Sequence, residues 1–236
     1  MKKQILIMLF VFLSGCSQSG VSDNQLFLEK MEKAGNVTGM IASYKEQLQS
    51  QPDNYHLLKM LAELYYKADD LESSMFYANH YDSIVKEDKD ILYLKGRIHD
   101  DLGDYSTSIR FFEQAEALGE GTPEFYIRYG IVLSKFGKYS EAEKQFNIAR
   151  LRGDDDITIK NNLAVLYLMQ AKYQDAIEIL LPLLSQARDN NKVKINLSIA
   201  LIKQGQDKQA YDILKPLYSD EQLRVLFRMI KEMKNV

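Results

Sequence analysis

Residues 89–122 read KDILYLKGRIHDDLGDYSTSIRFFEQAEALGEGT, and residues 123–156 read PEFYIRYGIVLSKFGKYSEAEKQFNIARLRGDDD. Set one beneath the other, the two stretches agree where packing demands it. Gly96 stands over Gly130, Ser108 over Ala142 and Phe112 over Phe146. Leu92, Gly96, His99 and Leu102 fall on one helical stripe, and Ile109, Phe112 and Ala115 fall on a second. Between the stripes sits Gly103, matched by Gly137, a residue suited to the positive φ that ends a helix. Tyr105, matched by Tyr139, opens the second stripe. Each stretch therefore reads as two short helices whose small residues permit close approach and whose large residues fill the space that remains.

The same beat runs outward in both directions. Frames beginning at Tyr55, Lys89, Pro123, Ile157 and Asn191 follow one another every 34 residues without insertion. Their eighth residues are Ala62, Gly96, Gly130, Ala164 and Ser198, and their twentieth are Ser74, Ser108, Ala142, Ala176 and Ala210. A 34-residue period with this alternation resembles the tetratricopeptide repeat, a helix–turn–helix unit. The resemblance implies an all-α, right-handed solenoid that works by binding. Five full units are predicted, with a degenerate N-terminal unit and a C-terminal capping helix. The units lie near 21–54, 55–88, 89–122, 123–156, 157–190 and 191–220, and the cap at 221–234. In the first unit Met40 and Tyr44 take packing positions and Gly35 the turn, but the first helix is short and irregular. Ala171 and Asp69 replace glycine at two turns. Pro182 and Pro216 fall in second helices, where a missing donor predicts kinks. The cap shows Leu223, Leu226, Phe227 and Ile230 on one face behind a Ser219 N-cap.

Ahead of the repeats, Met1-Lys2-Lys3 precedes an apolar run at 5–13, long enough for a secretory signal core and too short to span a bilayer. The run ends in Leu13-Ser14-Gly15-Cys16, which resembles the lipobox of bacterial lipoproteins. That resemblance implies residues 1–15 as signal peptide, lipidation of Cys16 after cleavage behind Gly15, and 16–23 as a lipidated tether to a repeat domain at 24–236. Cys16 is the sole cysteine of the chain. Acyl chains contribute about 0.8 kcal/mol per buried methylene, so several on one residue anchor stably. Ser17 in place of aspartate resembles the class sent to the outer membrane, which places the repeats in the periplasm.

Charge and chemistry exclude other classes. The chain carries a formal charge of −3, and loss of Lys2 and Lys3 takes it to −5, against a nucleic-acid partner. His56, His80 and His99 share no metal-binding spacing, and His99 holds a packing position. Asp154-Asp155-Asp156 lacks the glycine and terminal glutamate of a calcium loop and reads as a turn capping the next helix. No nucleophile sits in a catalytic setting. The chain reads as a non-enzyme without cofactor or metal.

In the repeat family the concave groove is lined by the second, fifth, ninth, twelfth and thirteenth residues of each first helix. Carried over, the resemblance gives a polar N-terminal end, with Lys59, Glu63, Tyr66, Asp90, Tyr93, Arg97 and Asp101. The C-terminal end is apolar, with Ile127, Ile131, Val165, Leu168, Ile195 and Ile199 beside Asn161. Two readings of the apolar end stand: the terminal helix folds over it, or it receives an amphipathic helix of a partner while Asn161 bonds the partner backbone. Glu63 and Ile131 occupy places where chaperone-binding repeats carry asparagine, which argues against a chaperone-tail receptor. Asn161-Asn162-Leu163-Ala164, Leu180-Leu181-Pro182-Leu183 and 192–198 (KVKINLS), in a lipoprotein of this size, resemble the TadD lipoproteins of tight-adherence (Flp) pilus systems. That resemblance implies a pilotin-like factor for the secretin. A type IV pilus pilotin, and an adaptor for peptidoglycan hydrolases or outer-membrane β-barrel assembly, remain as alternatives.

Overall fold

Short polar caps punctuate this chain and set where most of its helices begin, though the helices that open at Tyr139, Tyr173 and Asp207 start without a side-chain cap. The computed structural model describes residues 29–186 and 189–233. The expected signal peptide 1–15, Cys16, the tether 16–23 and the start of the first helix lie outside the described residues. A helical turn at 29–33 leads into α1 (Val37–Ser50). Paired helices follow: α2 (Tyr55–Lys67) with α3 (Leu71–Ile84), α4 (Lys89–Asp101) with α5 (Tyr105–Ala117), and α6 (Pro123–Lys135) with α7 (Tyr139–Leu151). Next come α8 (Asp156–Met169) with α9 (Tyr173–Leu180) and the short α10 (Leu183–Gln186), then α11 (Asn191–Lys203) with α12 (Asp207–Leu214), and finally α13 (Asp220–Glu232). No strand occurs among the described residues. The side chains of Asn54, Asp70, Asp88, Asp104, Thr122, Asp155 and Asn190 accept from N–H groups that the helix itself leaves unpaired. Asp155, the middle of the aspartate run, thus serves as the cap of α8, which begins at Asp156. Ser219 does the same in a reciprocal box with Gln222.

Within a pair, the small residues let backbones close up. A Cβ built on Gly96 would lie 2.9 Å from Phe112 Cδ2, and one on Gly130 only 2.6 Å from Phe146 Cε1. Serine at the twentieth place uses the same closeness: Ser108 Oγ donates to the Gly96 carbonyl at 2.7 Å and Ser74 Oγ to the Ala62 carbonyl at 2.8 Å. Eleventh residues stack on the second helix, with Tyr65 on Tyr77 and His99 on Phe111 at 5.4 Å. The turn between the helices needs a left-handed residue. Gly103 takes φ 78°, and Asp69 and Ala171 take φ 60° and 56° at the equivalent place. The packing faces of neighbouring units cover one another, giving three core clusters in succession along the solenoid.

Two second helices stop early instead of kinking. The Pro182 nitrogen has no proton to give the carbonyl four residues back, so α9 ends at Leu180 and Leu183 restarts the chain as a buried residue of α10. Likewise α12 ends at Leu214, ahead of Pro216. The cap α13 packs on α11, with Leu223 and Ile230 buried and Leu226 and Phe227 partly so. It closes the end of the stack and leaves the apolar inner face open.

Candidate partner-binding groove

First helices of consecutive units lie side by side, and a residue on one meets a residue 29 to 35 further on, in the next or in the N-cap before it. At the N-terminal half of the inner face this contact is ionic or polar. Lys59 Nζ donates to Asp88 at 2.9 Å and to Asp90 at 2.6 Å. Tyr66 Oη donates to Asp101 at 2.5 Å, and Lys135 Nζ to the buried Asp100 at 2.6 Å. Arg97 sits 3.7 Å from Glu63, with its guanidinium 4.0 Å from the Tyr66 ring centre. Burial raises the Glu63 carboxyl above its ordinary range against the pull of Arg97, and pushes the Tyr93 phenol up to about 12. Asp88 shows the opposite balance. Burial alone raises it, but the Tyr81 hydroxyl, Lys59 and the Asp90 N–H hold it lower than usual. Apart from the Tyr93 hydroxyl and Arg97 Nε, which are buried without a hydrogen-bond partner, these side chains are engaged with one another.

From α6 onward the inner face changes. Ile127 and Ile131 form the floor of a cavity of about 740 Å³, walled by Thr158, Asn161, Asn162 and 189–192. It spans three units, because the N-terminal ends of α8 and α11 and the turn before α11 all border it. Val165, Ile195 and Ile199 continue the apolar surface, each half-buried. A concave apolar floor with an amide-rich rim suits a peptide segment, since an amide offers both a donor and an acceptor to a backbone. No group of three or more His, Cys, Asp or Glu is placed to hold a metal ion among the described residues.

Of the predicted groove residues, Ile127, Ile131 and Asn161 line this cavity, Val165, Ile195 and Ile199 lie outside its lining, and two of the assignments change. Leu168 is not at the surface. It is 1% exposed and packs in the core with Ala164, Leu197 and Leu201, because the twelfth residue here turns under the next helix. Asn161 is already half engaged, accepting from Asn196 Nδ2 at 2.9 Å across the same 35-residue offset that carries ions in the N-terminal half. Sequence reasoning missed Asn162 and 189–191 as cavity walls. They lie off the helical face used for the assignment, and curvature across three units brings them in.

Family models described as tetratricopeptide repeat match residues 90–118 and 127–191. These units are tetratricopeptide repeats. Solved structures with the same tetratricopeptide solenoid include a repeat protein from Parabacteroides merdae, at 16% identity over 88% of this chain and 84% of that one, TM-score 0.74. PilW, described as a widely conserved type IV pilus biogenesis factor, is similar at 19% identity over 86% of this chain and 96% of its own, TM-score 0.73. Pseudomonas aeruginosa PilF is similar at 16% identity over 86% and 94%, TM-score 0.65. At these identities the likeness is one of fold. No curated protein matches the chain in sequence.

Proposed function

We propose that this protein is an outer-membrane lipoprotein, anchored through Cys16, whose repeat groove holds a segment of a secretin and so promotes assembly of a Flp-type pilus machine. The observation that carries the reading is the change along the inner face, from engaged charges to a cavity floored by Ile127 and Ile131. An apolar strip of this kind gains affinity from burial, at about 25 cal/mol per Å² removed from water. The lipobox supplies the anchor and the repeat motifs supply the tight-adherence resemblance. Fold similarity to PilW favours a second reading, in which the same groove serves a type IV pilus.

The test is a double variant, Val165→Asp with Ile199→Asp, expressed in cells from the native locus. Secretin multimers and surface pili are expected to disappear while the protein stays abundant and lipidated. Normal pili in this variant exclude the groove. Normal pili in a deletion strain exclude the pilus role and favour the adaptor alternative. Mass spectrometry that finds no acyl chain on Cys16 excludes the anchor.

A further inference from the structure

The cap helix carries an apolar line that sealing the solenoid does not require. Val225, Met229 and Met233, spaced by four, are 50%, 58% and 46% exposed. Register shows where that line points. First helices meet the preceding unit through their third and tenth residues: Ile91 and Ile98, Phe125 and Val132, and Val193 and Ala200 are all fully buried. On α13 the buried pair with the same spacing is Leu223 and Ile230, and α13 packs on α11. Setting Leu223 on Val193 puts Val225 on Ile195, Met229 on Ile199 and Met233 on Lys203, all of them groove positions. The contact between the Lys203 ammonium and the Met233 carbonyl agrees with this register. The same alignment puts Arg228 and Lys231 at the eighth and eleventh places. There, earlier first helices receive their own second helix, as Gly96 receives Phe112 and His99 receives Phe111. Arg228 is exposed there and Lys231 pairs with Asp207 of α12, so neither place presents an apolar face to a further helix. On α13 the fifth, ninth and thirteenth places turned to the groove are apolar, with Gln222 and Glu232 at the second and twelfth.

We propose that α13 is the fourth wall of the groove, and that the line Ile131, Val165, Ile199 and Met229 receives one amphipathic helix of a partner protein. The inference rests on the groove reading above and extends that site by one helix. Each first helix from α6 onward contributes one ninth-place residue to the line, and none is charged. In the N-terminal half the same place holds Glu63 and Arg97, already paired. Packed helices lie about 8–10 Å apart, so four span roughly 24–30 Å, the length of about 16–20 helical residues. Met229 and Met233 add flexible thioether side chains that mould to a ridge of leucines. An extended segment has no ridge at three- and four-residue spacing to fill so long a line.

The experiment uses full-length protein in lipid nanodiscs and a fluorescent synthetic helix of about 18 residues. The probe has leucines at three- and four-residue spacing and a balanced Glu/Lys face, and its control is a scrambled peptide of the same composition. Wild type is expected to bind the helix and not the scramble. Val225→Asp with Met229→Asp, both exposed and therefore compatible with folding (checked by circular dichroism), is expected to weaken binding about tenfold or more. Arg228→Glu, exposed on α13 and off the apolar line, is expected to change it less than about twofold. If the cap variant binds as wild type while Val165→Asp with Ile199→Asp does not bind, the fourth wall is overturned and the groove stands. If both variants bind as wild type, both readings fail. Equal binding of the scramble overturns the helical occupant. A wild-type dimer that the cap variant converts to monomer assigns the line to a second copy and overturns the proposal.

Discussion

The two halves of the inner face share one backbone geometry and put it to different use. Up to α6, side chains at the 35-residue offset are Tyr66 with Asp101 and Asp100 with Lys135, and they tie one first helix to the next. Beyond α6 the same offset holds the amide pair Asn161–Asn196, and its neighbours are half-buried isoleucine and valine. A surface whose polar groups satisfy each other gives a partner little to replace. An apolar surface gains when a partner removes it from water. The cross-bracing therefore stiffens one half, and the other half is where capture is favoured.

The variant with the largest expected effect lies at the junction. Gly130→Leu forces a side chain into Phe146, where even a Cβ meets a ring carbon at 2.6 Å. Overpacking of this kind costs about 1–3 kcal/mol, and a contact this close belongs at the upper end. Thermal unfolding should fall by several degrees. A melting point within a degree of wild type breaks the packing that both halves share. Next is Asp100→Ala, which leaves Lys135 without its 2.6 Å partner and is expected to cost about 1–2 kcal/mol. Hydrogen exchange should rise in α4 and α6 and remain unchanged in α11. A uniform rise would erase the distinction between the halves.

Acid sharpens the contrast further. Asp88, and Glu120 held by Lys89 and Thr122, both titrate below their ordinary values; for each, burial raises the carboxyl but the partners outweigh it. At low pH the unfolded chain binds more protons at these sites than the folded one, so their stabilisation is present above the unfolded values, about 4, and is lost as pH falls through the folded ones. Exchange protection around α3–α6 should therefore fail at a higher pH than that around α11. The smallest expected effect is Ala171→Gly. It relieves φ 56° at the turn before α9 and should stabilise by about 0.5–1 kcal/mol, read as a slight rise in melting temperature.

Much of the fold was legible in residues 89–156 because the period is carried by volume. Gly96, Gly130, Phe112 and Phe146 announce a close helix pair before any coordinates exist. The turn variants Asp69 and Ala171 were readable for the same reason, since register alone fixes a left-handed residue there. The groove was only partly legible. Positional carry-over assigned Ile127, Ile131, Val165, Ile195 and Ile199 to the inner face, of which Ile127 and Ile131 line the cavity, and it put the buried Leu168 there as well. Whether a twelfth residue faces solvent depends on how far the next helix overlaps it.

The sequence by itself determined the helix pairs, their order and the character of each inner-face position, because a 34-residue repeat of side-chain volume admits one way of nesting neighbours. Tertiary structure alone decided which inner-face groups are already spent on each other, that 189–192 border the cavity with Ile127 from two units away, and that α13 packs on α11 through Leu223 and Ile230. These are relations between residues about 30 to 65 apart, set by the angle at which units stack, and no local pattern in the chain records that angle.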